Sequence, residues 1–139
     1  MFVNNYNRGG KMNFNSLIPE LSVSNIEESK RFYLDIGFEI VYERKEDKFC
    51  FLKLEQNQIM IEQINSNWNT GILEYPFGRG INISMTIEDI DFYYKTLKEK
   101  NIKLFQEIKI NKYQVNNVIY EDKEFLIQDP DGYLLRFNN

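Results

Sequence analysis

The side chains that could carry chemistry are few, because the chain of 139 residues holds no histidine and a single cysteine, Cys50. Every site built on imidazole is therefore excluded, including histidine-ligated zinc, Ser-His-Asp triads, Cys-His pairs and histidine proton shuttles. Cys50 lies between two phenylalanines of a predicted strand, and alternation places it on the opposite sheet face from both rings. A buried, inert thiol is the expectation there. Glu62 is a lone acid that gives only a weak signal for a general base, so the sequence predicts no catalytic residue.

Aromatic rings are the more numerous candidates for a functional site. They make up 15% of residues, with 11 Phe, 9 Tyr and one Trp. Most are expected in the core, because rings contribute large buried areas in a small domain. Others lie in predicted turns or linkers, where a core role is less obvious: Tyr42, Phe49, Trp68, Tyr75, Phe77, Tyr113 and Tyr120. Such rings either hold a flat ligand or cover a sheet edge or a subunit interface.

The charge balance is acidic, with 17 basic and 21 acidic residues and a net charge of −4. Without the first eleven residues, which hold Arg8 and Lys11 and no acid, 15 basic face 21 acidic residues. This net charge of −6 disfavours non-specific binding to nucleic acid or to anionic membranes and suits a cationic small molecule, although it is also common among cytosolic proteins. No stretch approaches the roughly 20 apolar residues of a membrane span, and the first residues do not resemble a secretory signal. A cytoplasmic protein is expected.

The chain before residue 81 is predicted to hold a tail, one structural unit and a linker. Residues 1–15 are polar and aperiodic, which predicts a flexible tail. In unit 16–64, Ser24-Asn25-Ile26-Glu27 has the spacing of a helix-capping box, and Gly37 is placed to end the helix. The predicted elements are a strand over 17–23, a helix to about residue 36, and strands over 38–43, 49–54 and 59–64. Residues 65–80 are predicted to form a linker.

The same pattern begins again after the linker. An offset of 64 residues places apolar positions on apolar positions and acids of the first helical turn on acids, and it aligns Gly37 with Asn101, which also tolerates a left-handed conformation. Unit 81–139 is predicted to contain a strand over 81–86, a helix over 87–100 with Ile90, Tyr94 and Leu97 inward, and strands near 103–110, 118–128 and 133–137. Asp129-Pro130-Asp131-Gly132 predicts a turn before the last strand. The sequence therefore predicts an α+β fold in which two tandem β-α-β-β-β units form curved mixed sheets around a cleft.

Three segments of the repeat resemble sequences of a known superfamily. They are LSVSNIEESKRFYLDIGFEIVYE at 21–43, IMIEQ at 59–63 and FLIQDPDGYLLRF at 125–137. They resemble the vicinal oxygen chelate superfamily of glyoxalases, extradiol dioxygenases and bleomycin-resistance proteins, over about residues 17–137. The ending, with DPDG and then Leu-Leu-Arg, is more similar to the bleomycin-resistance branch than to the glyoxalase branch. The resemblance implies the glyoxalase/bleomycin-resistance fold.

Metal-dependent members of that superfamily use four ligands, and the matching positions here are Ile18, Glu62, Ile81 and Arg136. Only Glu62 could bind a metal, so the resemblance implies no metal site and no cofactor. Arg136 and Glu62 are expected to pair across the sheet where the ion would lie, unless either side chain faces solvent.

The resemblance implies a homodimer that sequesters a cationic, planar antibiotic of the bleomycin type in a cleft, without turnover. In bleomycin-resistance proteins the flat tail of the drug lies between aromatic rings, while acidic surface faces its cationic end. The ligand-binding residues predicted on this basis are Tyr42, Phe49, Phe51, Glu62, Trp68, Tyr113, Tyr120 and Arg136. Two alternatives remain open, a metal-independent enzyme of the same superfamily and a binding or sensor module for another metabolite.

Overall fold

A computed structural model describes residues 13–139 and divides the chain into two compact units. Unit 1 ends at Trp68, and unit 2 comprises Asn69–Asn139. Most of the predicted tail, residues 1–12, lies outside the described residues. Asn15, in the part of the predicted tail that the structure describes, forms hydrogen bonds with Gln56 and Gln58.

Unit 1 contains one helix and a four-stranded sheet. Its elements are β1 (Glu20–Val23), α1 (Ile26–Asp35), β2 (Glu39–Arg44), a short 3-10 helix (Lys45–Asp47), β3 (Phe49–Leu54) and β4 (Asn57–Gln63). The strands lie in the order β1-β4-β3-β2. The sheet is mixed, because β1 pairs with β4 in parallel whereas the other pairs are antiparallel.

Unit 2 repeats this arrangement. Its elements are β5 (Asn82–Thr86), α2 (Ile90–Glu99), β6 (Gln106–Val115), β7 (Val118–Gln128) and β8 (Leu134–Asn138), with strand order β5-β8-β7-β6. Again the first and last strands are parallel and the other pairs antiparallel. The predicted α+β fold of two tandem β-α-β-β-β units is confirmed.

Equivalent residues cap the two helices. The side chain of Asn25 accepts a hydrogen bond from the amide of Glu28, and that of Asp89 accepts one from the amide of Phe92. The prediction that Ser24 caps α1 is therefore wrong by one residue, and α2 begins at Ile90 rather than residue 87 because Asp89 is its cap. Gly37 and Asn101, predicted to follow the helices in a left-handed conformation, have φ of 106° and 61°.

Two predicted strands differ most from the structure in their bounds. β1 begins at Glu20 rather than residue 17, because Leu17 is exposed and outside the ladder. β6 extends to Val115 rather than residue 110, because its distal half pairs with β7 across a tight turn at Asn116 and Asn117, both with positive φ. Such paired left-handed residues match the right-handed twist of a hairpin.

The core of unit 1 lies between α1 and the sheet. Val23, Cys50, Leu52 and Ile61 are fully buried from the sheet side, and Tyr33 is fully buried from the helix. Burial raises the pKa of the Cys50 thiol to about 12, so it stays protonated. The predicted burial of Cys50 is confirmed.

The core of unit 2 is built in the same way. Phe125 and Phe137 stack with their centroids 5.3 Å apart and are fully buried beside Leu97 of α2. Tyr94, predicted inward, is only half-buried, because its hydroxyl donates to the exposed Glu107 while its ring contacts Phe125.

The Asp129–Gly132 turn joins β7 to β8 and is closely packed. One oxygen of Asp129, Oδ1, accepts hydrogen bonds from the amides of Asp131 and Tyr133, both at 2.9 Å. Gly132 has φ of 93°, and a Cβ added there would lie 2.6 Å from Cβ of Pro76. Both the backbone conformation and the neighbouring atoms therefore require glycine.

We expect Gly132→Ala to lower the free energy of unfolding by about 1–3 kcal/mol, because a left-handed alanine must also displace Pro76. Gly71→Ala is the matched control, since a Cβ there meets no atom within 4 Å. Denaturant unfolding of both variants measures the effect. Equal stability of the two variants would contradict this account of the turn.

Among residues 13–139, neither helix has the length and apolar character needed to cross a bilayer.

Candidate functional site

The sheet of unit 1 has one face against α1 and an opposite face, here called the helix-free face. Because Cys50 lies on the helix side, its neighbours Phe49 and Phe51 point to the helix-free face. Tyr42 of β2 lies opposite Phe51, and Glu62 of β4 lies opposite Phe49. Four of the predicted site residues thus share one face of one sheet.

The three rings on this face form a compact cluster. Tyr42 and Phe51 stack with their centroids 5.3 Å apart and their planes 22° apart, and Phe49 lies 5.8 Å from Tyr42. Their exposed fractions are 8% for Tyr42, 4% for Phe49 and 1% for Phe51. The partly buried residues packed against them are Phe14, Ile18, Val41 and Met60. The three rings therefore lie together, and neighbouring side chains cover them.

Two carboxyl groups lie beside the rings. Glu62 accepts a hydrogen bond of 2.5 Å from the side chain of Asn65, and it also shares a hydrogen bond with Glu20 of β1. The pKa of Glu20 is raised to about 7, first by partial burial of its carboxyl, then by its hydrogen bond with Glu62 and the charge of Glu62, while Arg44 lowers it. Glu20 as a whole residue is exposed, so only its carboxyl end is enclosed. Glu20 therefore takes up a proton near neutral pH.

A pocket of about 600 Å³ opens next to these carboxyl groups, within unit 1. Arg44, Glu62 and Trp68 line it, together with Glu46, Asp47, Lys48, Gln63, Ile64, Asn65 and Asn67. Trp68 is 73% exposed, so its ring is available for stacking. Arg44 places its guanidinium carbon 4.0 Å from the centroid of Phe49 and bonds to Asp47. The pocket thus brings together the accessible ring of Trp68, the carboxyl group of Glu62 and the guanidinium of Arg44, which contacts Phe49 of the ring cluster.

Tyr113 and Tyr120 lie directly opposite each other in unit 2. Their rings stack at 5.6 Å on the distal part of the β6–β7 hairpin. They are 53% and 46% exposed, so both present a ring to solvent.

Arg136 lies on β8 and bonds within unit 2. Its Nε donates to Oδ1 of Asn82 at 2.9 Å, and its Nη1 lies 3.5 Å from the largely buried Glu124. Glu62 bonds within unit 1, to Asn65 and Glu20. The pairing of Arg136 with Glu62 stays a prediction.

The four positions matching the superfamily's metal ligands do not fit a divalent ion. Ile18 packs against the ring cluster, Ile81 is an exposed hydrocarbon side chain, and Arg136 carries a positive charge. Glu62 is the one oxygen donor of the four. In the part of the chain that the structure describes, no three or more His, Cys, Asp or Glu side chains are grouped to hold a metal. The chemistry of this donor set supports no metal-dependent step.

Sequence reasoning missed Glu20 and Arg44. Glu20 is the only charged residue of the predicted first strand, and alternation places it on the same face as Ile18 and Ser22. The parallel register, with Glu20 opposite Met60 and Ser22 opposite Glu62, then brings the two carboxyl groups together. The strand's position beside β4 was the missing information.

The family model described as Glyoxalase/Bleomycin resistance protein/Dioxygenase superfamily matches residues 15–137. No significant match was found among curated proteins.

Several solved structures are similar to the chain. A glyoxalase/bleomycin resistance protein/dioxygenase superfamily member from Vibrio splendidus 12B01 is 32% identical, covering 86% of this chain and 93% of that one, with a TM-score of 0.40. The glyoxalase/bleomycin resistance protein/dioxygenase from Alicyclobacillus acidocaldarius is 20% identical, covers 89% of each chain and has a TM-score of 0.64. A bleomycin resistance determinant encoded on the transposon Tn5 is 18% identical, covers 91% of this chain and 98% of that one, and has a TM-score of 0.64. The last two show a shared fold.

The family model spans nearly all of the described residues and both β-α-β-β-β units. The chain therefore belongs to the glyoxalase/bleomycin resistance protein/dioxygenase superfamily.

Proposed function

We propose that the protein binds a cationic, flat, aromatic small molecule at unit 1 and sequesters it without turnover, as bleomycin-type resistance requires. The observation that carries this proposal is the pocket of about 600 Å³ in which Glu62 and the exposed Trp68 meet. A volume of this size suits a drug-sized ligand. The shared fold of the Tn5 bleomycin resistance determinant supports the choice of ligand.

The pocket supplies the two interactions that such a ligand needs. Trp68 offers an indole face, on which a flat cation gains stacking and cation–π attraction. Glu62, which is hydrogen-bonded to Glu20, lines the pocket and offers negative charge where the ligand's cationic group can lie. Tyr113, Tyr120 and Arg136 belong to unit 2 and remain proposed ligand contacts. Sequestration requires affinity alone, so the chain needs no nucleophile.

Calorimetric titration with metal-free and with copper-loaded bleomycin tests the proposal. We expect saturable heat at about 100 µM protein, corresponding to a dissociation constant in the micromolar range or tighter. Added salt should slow association more than it speeds dissociation, because the acidic field acts on the encounter. If neither form binds, whereas a panel of planar metabolites does, the protein is a binding module for another ligand.

Binding of a permanent cation should strengthen as pH rises from 6 to 8. Glu20, whose pKa lies at about 7, is protonated at the lower pH and charged at the higher one, while Glu62 and Arg44 face it. One added negative charge near a bound cation corresponds to about a 3- to 10-fold gain in affinity in a partly solvated site. Ethidium is a suitable probe, because its charge does not change over this range. Glu20→Gln should remove the pH dependence, and a dependence that persists in this variant would assign it to another group.

An enzymatic role is the second candidate, and the Glu20–Glu62 pair is the observation that favours it. Glu20, whose pKa is raised to about 7 beside a second carboxyl group, can act as a general base near neutral pH. Incubation of bound ligands followed by mass spectrometry separates the candidates. A product that forms with the wild-type protein and not with Glu20→Gln would establish the enzyme.

We also propose a homodimer. Residues 118–123 of β7 pair with β6 alone, because β8 joins the sheet only from Glu124. The hairpin so formed exposes the apolar side chains Tyr113, Val115, Val118 and Tyr120. Two-stranded ribbons with apolar surface and free edges are marginal in water and favour a partner. Sedimentation at micromolar concentration should give twice the mass of one chain, and the mass of one chain would refute the dimer.

A further inference from the structure

Trp68 ends a short loop that follows β4, the segment Asn65–Trp68, here called the Trp68 loop. The root of the loop is fixed to the sheet, because the amide of Gln63 donates to the carbonyl of Lys48 at 3.0 Å and the amide of the next residue donates to the carbonyl of Val23 at 2.9 Å. Beyond this root every residue of the loop is exposed. Burial therefore cannot hold the indole in place, and polar contacts of the loop must do so.

The side chain of Asn65 makes two of these polar contacts. Its Nδ2 donates to Oε2 of Glu62 at 2.5 Å, and its Oδ1 accepts a hydrogen bond from the amide of Asn67 at 3.0 Å. An asparagine can do both, because its amide group carries a donor and an acceptor on one short side chain. Asn65 therefore links the carboxyl group in the pocket to the backbone one residue before Trp68.

The backbone of the Trp68 loop needs such support. Ser66 and Trp68 both have a left-handed conformation, with φ of 73° and 64°. Residues other than glycine adopt this conformation at a cost, and bulky residues do so rarely, so the surrounding contacts must hold the backbone there. The amide of Asn67, which donates to Asn65, lies between these two residues. This bond supports the turn that brings Trp68 to the wall of the pocket.

We infer that Asn65 is the positioning residue of the ligand site, which holds the carboxyl group of Glu62 and the ring of Trp68 as one preformed unit. The inference rests on the proposed function, because it explains how the two ligand contacts are kept in place before a ligand arrives. All three residues line the pocket of about 600 Å³. Without Asn65 the loop samples other conformations, and the apparent affinity falls in proportion to the fraction of molecules whose site is correctly formed.

NMR relaxation of the backbone amides in the free protein provides the first test, and it needs no ligand. We expect the order parameters of residues 66–68 to lie near about 0.85 in the wild type and below about 0.6 in Asn65→Ala. Asn67→Ala is the matched control, since it removes an asparagine side chain from the same loop and pocket but keeps the amide that donates to Asn65. Equal order parameters in the wild type and Asn65→Ala would overturn the positioning role.

An exchange of donor and acceptor tests the bond between Asn65 and Glu62 itself. Asn65→Asp keeps the acceptor for the amide of Asn67 but places a second carboxylate beside Glu62, so it should loosen the loop. Adding Glu62→Gln to this variant supplies an amide at position 62 that can donate to the new carboxylate, and it should restore the order parameters. Glu62→Gln alone should leave the loop ordered, because its carbonyl oxygen still accepts from Asn65. A double variant that stays loose would show that this bond does not hold the loop.

Calorimetry with bleomycin then measures what the positioning contributes to binding. Asn65→Ala should weaken binding about 3- to 10-fold at an unchanged melting temperature, because the loop is exposed and the core is untouched. Asn67→Ala should keep the wild-type affinity. A loosened loop with unchanged affinity would refute the role of Asn65 in the ligand site. If the loop loosens but the wild type itself binds no bleomycin, the proposed function fails while the positioning of Trp68 by Asn65 stands.

Discussion

Replacing Phe51 by alanine is expected to lower the free energy of unfolding by about 3–5 kcal/mol. Phe51 is 1% exposed, stacks on Tyr42 and is met edge-on by Phe14. Its removal leaves a cavity in a face that has no helix to collapse onto it. The loss would show that the ring cluster supports folding of unit 1, in addition to any contact with a ligand. Denaturant unfolding measures it.

Tyr113→Ala is the matched control for removal of a stacked ring. Tyr113 also stacks on a cross-strand tyrosine, but half of its surface is exposed. Its loss should cost about 1 kcal/mol, the range of an exposed aromatic pair. If Phe51→Ala costs no more than Tyr113→Ala, the ring cluster is not a packed part of unit 1. Because of the folding cost, alanine at Phe51 is unsuited to measuring ligand affinity.

Glu62→Gln is expected to weaken binding of a planar cation by about 10- to 100-fold. Glu62 lines the pocket and carries negative charge beside Glu20, and a charge-assisted hydrogen bond corresponds to about 1.5–3 kcal/mol. Glutamine keeps the shape of the side chain and can keep the bond to Asn65 by its carbonyl oxygen. The loss should appear mainly as faster dissociation.

Glu99→Gln is the control for the long-range electrostatic field of the protein's net charge. Glu99 is an exposed residue at the end of α2, and its replacement changes the net charge by the same amount as Glu62→Gln. A long-range effect would weaken binding equally in both variants, whereas a local contact affects only Glu62→Gln. Surface plasmon resonance at two salt concentrations distinguishes these outcomes. Equal effects would mean that Glu62 does not touch the ligand.

Local signals predicted most of the fold. The 64-residue repeat is carried by helix caps, apolar stripes and helix-ending residues, and the structure shows Asn25 with Asp89 and Gly37 with Asn101 in equivalent places. The largest error falls where a tertiary contact overrides the local pattern. Residues 111–115 continue as strand because they pair with the start of β7, which no periodicity within β6 indicates.

The candidate site was predictable only in part. Alternation within β3 placed Phe49 and Phe51 on one face, and the structure adds Tyr42 and Glu62 to it. Glu20 was missed because its contact with Glu62 arises from a parallel pairing of strands about forty residues apart in the chain. The cover over Phe51 was missed because Phe14 lies in a polar segment whose hydrogen bonds go to the distant Gln58.

Fluorescence of Trp68 during titration with metal-free bleomycin tests the central claim most directly, namely that the ligand binds in the pocket beside Glu62. Trp68 is the only tryptophan of the chain and lines that pocket, so its emission reports on this site alone. The account predicts a saturable change in emission with the dissociation constant found by calorimetry, and a shift of the curve to higher ligand concentration in Glu62→Gln. Calorimetric binding with unchanged Trp68 emission, or an identical curve for Glu62→Gln, would contradict it.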